Sequence, residues 1–517
     1  MSPHPDRNSL CRSPDEGKVR ALARAFSFVL HGVCLLPLNL ISDAWIPVSS
    51  THGRRIIRPD QIAEPDVLFP DWPRADLNIA CLELLIGLVH LADPVEEVED
   101  WADRKPDPER LRAALAPLAP AFDLGGDGPR FLQDRERFET ANAKVDINSP
   151  DMLFIDSAGG NTAKNNADLM VRRGRYPRLD PALAAMALYT LQSQAPAGGA
   201  GNRTSMRGGG PMITLVEPPE PGLWPLVWAN VPLGRPQGPE ALPWMQDAPR
   251  PDPLYPPEDG NLAETFFGMP RRLRLIFYGD QVTGVLQKPY GANYAGWEHP
   301  LTPYYRVKDG AELLPQHPRA GAFGYRNWLG INAASTSDLR RQAAALTGYA
   351  DRAYSTEGAS VIVAGWAMDN MKPRDFTLSR QPLIPEGEAL TCIQRMIAAA
   401  KMCGETLATA LKMLASGGTA LDALREEFFL RTQGPFERLA GETGHDDTMA
   451  RWLAEMHKTA LAIFDDAAMP GLAGMPIKDV EAILRERNLL IAMFRGQGKT
   501  GAKLYGELGL EAKAKAA

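Results

Sequence analysis

The sequence predicts an α+β fold: a large mixed N-terminal domain of short antiparallel sheets and helices, followed by a C-terminal four-helix bundle. Three observations predict it. At 517 residues and 44% hydrophobic content the chain exceeds a single core and has the composition of a globular protein. Up to about residue 383 short β-type runs alternate with apolar helices and Pro/Gly-rich connections. Beyond Pro385 four long stretches carry helical periodicity between glycine breaks.

The elements follow in order. Leu38 to Pro59 reads as strand and turn, with Asp43-Ala44-Trp45-Ile46-Pro47 and Gly53-Arg54-Arg55-Ile56-Ile57. Asp76–Leu91 is a strongly apolar helix with Asp76 expected as its N-cap. Residues 93–115 are acidic and polar, an exposed helix–loop–helix. Asp146–Asn166 is irregular, and Asp180–Gln192 is an Ala- and Leu-rich helix. Met212–Val216 reads as a strand and 217–260 as a proline-rich connection. Leu273–Tyr278, Thr302–Val307 and Ala359–Ala364 are β-type runs. The helical stretches cover roughly 388–415, 420–440, 447–468 and 476–495, split by glycine pairs. In the first, Ile393, Met396, Ile397, Ala400, Leu407, Leu411 and Leu414 fall on one face, the pattern of an antiparallel bundle. The domains are therefore read as 1–37, 38–383 and 384–517.

Residues 1–37 are expected to be a disordered or spurious extension. Lys18, Arg20 and Arg24 before the apolar run Phe26–Ile41 resemble the start of a signal peptide, but no small-residue cleavage site follows. The run is too interrupted for a membrane span, and no membrane partner is expected. The five cysteines form no CxxC pair, so neither a zinc knuckle nor a redox motif is read, and a cytoplasmic location with buried free thiols fits best. Net charge is −7, yet between Ala163 and Leu215 seven basic residues face two acidic ones. A basic strip lies inside an acidic protein, and nucleic-acid binding follows local patches.

Enzyme signals do not hold together. Gly498-Lys499-Thr500 resembles the end of a phosphate loop, but Met493 stands where that motif needs glycine. His445-Asp446-Asp447 suggests a metal-dependent phosphohydrolase; His457 is the only other histidine in the bundle, and the aspartates sit where an N-cap belongs. His299 and His317, in proline-flanked loops, are expected at the surface. No GxSxG or HExxH is present. No enzymatic activity, metal or cofactor is expected.

Three other places suit contact with a ligand. Gln194–Pro211 (QAPAGGAGNRTSMRGGGP) holds two glycine clusters with Arg203 and Arg207. Glycines let a backbone approach a ligand closely and adopt positive φ, and arginine offers planar donors for phosphate or base edges. Lys288, between a β run and a loop beside Tyr290, is placed to reach out of the fold. Asn370-Met371-Lys372-Pro373 reads as a hairpin tip with a polar side chain beside a long apolar one, able to push between base pairs. Taken alone, each has a plainer reading: a surface turn, a solvated lysine, an ordinary hairpin.

Taken in order, these segments resemble the CasA family, the large subunit of the type I-E CRISPR surveillance complex Cascade, from Leu38 to near the C-terminus. Four places carry the resemblance. Asn39-Leu40-Ile41-Ser42-Asp43-Ala44-Trp45-Ile46-Pro47 is similar to the family's opening. Phe154–Arg178 resembles the long loop that fastens the subunit near the 5′ end of the guide RNA; its candidate anchoring residues are Phe154, Gly160, Asn161, Thr162, Lys164, Arg172, Arg173 and Arg175. Gln194–Pro211 is similar to the family's glycine loop, and the bundle matches in length and place.

The resemblance implies a non-catalytic subunit of an antiviral, RNA-guided complex. It would inspect duplex DNA for the protospacer-adjacent motif from the minor groove, begin strand separation for R-loop formation, and help recruit the effector helicase-nuclease. Gly198, Gly199, Ala200, Gly201, Asn202 and Arg203 would bring the backbone to base edges. Lys288 matches the family's minor-groove lysine, ahead of Trp297 and Pro300. Minor-groove acceptors distinguish bases poorly, so several motifs would be tolerated. Asn370 and Met371 occupy the wedge position, where the family often has glutamine; asparagine is shorter, and Met371 would do more of the separating. Some members carry two cysteine pairs suited to zinc, but Leu179-Asp180-Pro181-Ala182-Leu183 stands at the first, so no zinc is expected. Implied partners are the guide RNA, the backbone, 5′-handle-binding and small subunits, double-stranded target DNA with its displaced strand, and the helicase-nuclease. Two other readings remain at this stage: a metal-dependent nuclease or phosphohydrolase using His445, Asp446 and His457, and a membrane-associated scaffold anchored by residues 20–41.

Overall fold

The computed structural model describes residues 38–511 apart from 139–146, 158, 160–161, 163, 167, 169–170, 200, 247–253, 258–262 and 415–417. The segment 1–37 lies outside the described residues. Helices and short antiparallel sheets mix up to Pro382, and long helices follow, which is the expected α+β class.

Strands β1 (Ile46–Ser50), β2 (Gly53–Ile57) and β3 (Val67–Pro70) form the first sheet with β1 in the centre. Helix α1 (Ala75–Ala92) is apolar on nearly every face because it is buried on nearly every face. It is the one helix among the described residues long and apolar enough to cross a membrane, and most of it lies inside the fold. Its N-cap is Arg74, not Asp76; Asp76 lies in the first turn, buried, and takes a two-pronged ion pair from Arg74. Helix α2 (Pro181–Gln194) packs beside α1 and starts at Asp180, whose carboxylate accepts from the Leu183 amide.

The two-residue strand β4 (Ile147–Asn148) edges one further sheet, while β5 (Ile213–Glu217) belongs to another. Beside β4 stands the hairpin of β6 (Arg272–Tyr278) and β7 (Gln281–Lys288). Short strands β8 (Tyr304–Tyr305), β9 (Leu314–Pro315) and β10 (Arg340–Arg341) make a small third unit. The longest hairpin joins β11 (Ser360–Asp369) to β12 (Lys372–Pro382), and β5 pairs with the other edge of β11. β11 is apolar and buried along most of its length, the pattern of a central strand.

Two apolar clusters fill the described residues. The first runs from Leu40 to Leu383 around α1, α2 and β11. The second is held by α3 (Glu388–Ala410), α4 (Gly418–Ala440), α5 (Thr448–Ala468) and α6 (Ile477–Phe494). A fifth, shorter helix, α7 (Gly498–Leu508), adds to these; it buries Leu504 and Leu508 in the same core and starts at the Gly498-Lys499-Thr500 run. Tyr325, Trp328 and Ala333, though earlier in sequence, also belong to the second core. Tyr325 stacks on Phe436 with ring centroids 4.0 Å apart, and its hydroxyl meets the Thr432 hydroxyl at 2.8 Å. Trp328 donates to Gln381 on β12, and the Ile384 amide donates to the Asn332 carbonyl. The segment 325–333 thus pins the bundle to the end of the long hairpin.

Candidate nucleic-acid interface

The glycine segment leaves the end of α2 and folds into a tight turn. Gly198 N–H donates to the Asn202 carbonyl at 3.2 Å, and Asn202 N–H returns to the Gly199 carbonyl at 2.8 Å. Gly199 and Gly201 have φ of +67° and +82°, conformations that favour glycine. Ala200, between them, lies outside the described residues. A Cβ on Gly201 would stand 2.8 Å from the Tyr290 ring, and Tyr290 N–H donates to the Gly201 carbonyl at 2.9 Å. Gly198 backs onto the Arg271 guanidinium, 2.7 Å from where a Cβ would be. Gly199 meets nothing within 4 Å. The turn is therefore fastened by Gly198 and Gly201 and open at Gly199. Arg203 lies over the Tyr290 ring.

Tyr290 follows Lys288 by two residues, so the turn is docked on the end of β7. The other half of the segment reaches the long hairpin. A Cβ on Gly210 would strike the Trp366 carbonyl oxygen at 2.6 Å, and one on Gly209 would approach the Met371 sulfur at 3.3 Å. Two pieces far apart in sequence, 289–290 and 366–371, thereby meet one loop, the first at its glycine turn and the second at its far end.

Lys288 does not stand free. Its ammonium sits 2.5 Å from Glu136 and 4.7 Å from the centre of the Phe138 ring. Glu136 also takes Arg272, the cross-strand neighbour of Lys288. The Lys288 hydrogen bond, with help from Arg272, holds the exposed Glu136 carboxyl below the usual carboxylate range. At the hairpin tip Asn370 and Met371 form a two-residue turn between paired Asp369 and Lys372, with φ of +48° and +63°. Asparagine tolerates this region; methionine there costs about 1 kcal/mol. The Met371 side chain is 46% exposed. Asp369 braces the tip by accepting from Asn370 and from Arg374.

Other expected residues sit differently. Arg207 is buried, not presented to a ligand: it pairs with Glu83 of α1 at 2.6 Å and donates to the Ser193 carbonyl. His299, expected at the surface, is buried against the same pair, and burial pushes its imidazole well below the usual value. His317 is half-buried beside Gly208. The sequence signal missed here was Glu83, a lone acid inside an apolar helix, which requires a buried cation.

In the 154–178 loop, Phe154 is buried and stacked on Tyr176 with centroids 4.1 Å apart. Arg175 grips Asp156 with both terminal nitrogens at 2.9 and 2.7 Å, and Arg74 reaches the same carboxylate at 3.2 and 3.1 Å. These groups close the base of the loop. Burial alone would raise the Asp156 carboxyl, but Arg175 and Arg74 outweigh it and hold it below the usual range. Arg173 binds Asp168 and Asn166. Lys164 and Arg172 are exposed and Thr162 is half-exposed; Gly160 and Asn161 lie outside the described residues. No sequence signal pointed to Asp156 or Glu136, because their partners come from distant segments.

In the bundle, His445, Asp446 and Asp447 are exposed ahead of α5, with Asp447 at its N-cap position. His457 instead stacks on Phe494 inside the helices. No group of three or more His, Cys, Asp or Glu side chains able to hold a metal ion occurs among the described residues.

The fold recurs in solved structures. Thermus thermophilus CasA (Cse1) superposes with a TM-score of 0.69 at 18% identity, covering 89% of this chain and 100% of that one. Thermobifida fusca Cse1 gives 0.66 at 20% identity, covering 92% and 99%. A chain of a CRISPR RNA-guided surveillance complex gives 0.68 at 15% identity, covering 88% and 99%. At these identities the likeness establishes the fold alone. A family model for CRISPR-associated protein Cse1 matches residues 39–463. That match spans most of the sequence, from the opening Asn39 through the open glycine turn and the hairpin tip into the bundle, and the chain belongs to the Cse1 family of CRISPR-associated proteins.

Proposed function

We propose that this chain is the non-catalytic DNA-inspecting subunit of an RNA-guided surveillance complex acting in the cytoplasm. The observation that carries the reading is one loop whose open glycine turn is docked on Tyr290, two residues beyond Lys288, and whose far end meets the strained hairpin tip. Membership of the Cse1 family and the likeness to a chain of a surveillance complex support it.

Each part has a separate task. Gly199 offers backbone without a side chain, so the turn enters the minor groove and meets base edges and sugars. Lys288 is the donor to the minor-groove acceptors of the flanking motif, which are shared by A·T and T·A pairs, so tolerance of several motifs is expected. In the free chain Glu136 holds that lysine in place; on docking the ammonium exchanges the carboxylate for base acceptors. Arg203, resting on Tyr290, supplies charge beside the groove. Met371 then enters the first base step and Asn370 caps the separated pair, at a cost of a few kcal/mol for unstacking. Pairing with the guide carries specificity from there.

The clasp of Arg74, Asp156 and Arg175 presents the 157–174 loop to the 5′ end of the guide, with Lys164 and Arg172 facing outward. The bundle contacts the small subunits and the displaced strand, and the assembled surface recruits the helicase-nuclease. The nuclease reading loses ground because His457 is spent on packing against Phe494.

The test is motif-dependent duplex binding by the guide-loaded complex carrying Lys288→Ala or Gly199→Val. Both variants should assemble and lose at least about tenfold in binding to motif-bearing DNA, while binding to motif-free DNA changes little. Equal loss on both DNAs would assign these residues to general adhesion instead.

A further inference from the structure

A cavity of about 410 Å³ lies between the loop 316–327 and the facing sides of α3 and α4. Its wall is cationic. Arg319 and Arg326 come from the loop, Arg340 from β10, Lys401 from α3 and Arg425 from α4. Two carboxylates also line it, Glu405 and Glu426. Arg326 is taken up by Glu426, and Arg425 by Asp422 at 2.6 Å. The side chains of Arg319 and Lys401 make no hydrogen bond or ion pair among the described residues. Arg340 has only a long contact, 3.5 Å, to the Leu329 carbonyl. Gln316 adds a buried amide oxygen without a partner.

Three cations share this cavity with one carboxylate, Glu405, that no arginine takes up among the described residues, so their mutual repulsion is only partly offset. Lys401 registers this: burial, and then the charge of Arg340, hold its ammonium below the usual lysine value against the opposing attraction of Glu405. The volume suits a small ligand, but charged walls leave recognition to electrostatics. Planar guanidinium donors beside a compact ammonium match the tetrahedral oxygens of phosphate.

We propose that this cavity is a phosphate-binding site, with Lys401, Arg340 and Arg319 as its ligands. The phosphate has two possible sources of the same chemistry: a phosphodiester of a nucleic-acid strand, or a free phosphate anion. Met212, which follows the glycine segment, and Thr377 of β12 also line the cavity. His317, also in the wall, stands 2.9 Å from where a Cβ on Gly208 would be. The cavity therefore lies next to the far end of the glycine segment and is lined by bundle residues of α3 and α4.

Calorimetric titration of the full chain alone, with inorganic pyrophosphate at low salt, tests the site without guide or motif. Its failure would leave the DNA-inspection reading untouched. Saturable binding is expected, weakened at least about tenfold by the double change Lys401→Gln and Arg340→Gln, and by Arg319→Gln to a smaller degree. Arg485→Gln, an exposed arginine of α6 outside the cavity, should change nothing. The removed side chains give up only the long Arg340 contact to the Leu329 carbonyl and the attraction of Lys401 to Glu405, so the ligand-free variants should melt close to the parent. A short oligothymidylate that competes with pyrophosphate identifies the phosphodiester source; pyrophosphate binding without competition identifies the free anion. Absence of saturable binding, unchanged affinity in the double variant, or equal loss in the Arg485 control overturns the proposal.

Discussion

Gly198, Gly199 and Gly201 look interchangeable in sequence, yet each answers to a different neighbour. Gly201 and Gly198 are held against Tyr290 and Arg271, whereas Gly199 has open space and only its positive φ to satisfy. Gly199→Ala should therefore cost about 1 kcal/mol of stability, from the left-handed backbone alone, and spare the turn's docking. Gly201→Ala should cost more and loosen Tyr290, which melting curves and the Tyr290 ring signals would report. Met371 poses the converse case. Met371→Gly relieves the strained turn and should raise stability by up to about 1 kcal/mol. The same change should slow strand opening beside the motif, read by a fluorescent base. A protein that gains stability while losing opening rate separates the wedge from its scaffold. Lys288 was legible as a candidate from its place beside Tyr290, but Glu136 was not. Glu136→Gln removes the competing carboxylate and should tighten motif-dependent binding about two- to fivefold.

Among the elements, regular structure was the most legible. Helical periodicity placed the four long bundle helices to within a few residues, and β-branched runs placed β5, β6 and β11. The fifth bundle helix, α7, was hidden because Gly496, Gly498 and Gly501 read as breakers, while its burial rests on Leu504 and Leu508. Arg207 was misread for a related reason: a cation in a glycine-rich stretch looks exposed until the buried acid that needs it is found in another helix. Removing it should be severe. Arg207→Met leaves Glu83 buried without its cation, at a cost of about 3–5 kcal/mol, measurable by urea denaturation. The 154–178 loop offers a pH test. The Asp156 carboxyl is held below its usual range, so its contribution is present above the unfolded-state value and is lost as pH falls through the lower folded value. Protease sensitivity of residues 157–174 should thus rise only below about pH 4. Asp156→Asn should confer the same sensitivity at neutral pH.

At the scale of the whole molecule, the two cores are joined through side chains that the sequence order does not reveal. Tyr325 and Trp328 lie before the long hairpin in sequence but pack inside the bundle that follows it. Tyr325→Ala should cost about 3 kcal/mol and loosen the bundle against the hairpin, seen as faster amide exchange in α4. The basic strip noticed in sequence is likewise redistributed by folding: Arg207 is internal, Arg175 is clasped, Arg203 is half-buried over Tyr290, and Lys164 and Arg172 are exposed. At the converging loops the turn exposes bare backbone at Gly199 and the hairpin tip exposes Asp369, Lys372 and Arg374; under the proposed function the guide-bearing assembly supplies most of the grip. The most direct measurement is therefore target-duplex binding by a guide-loaded complex, with and without this chain, on DNA that has or lacks the flanking motif. The account predicts that the chain joins the complex and strengthens binding at least about tenfold on motif-bearing DNA only. A chain that joins the complex but strengthens binding equally on both DNAs, or not at all, would contradict it.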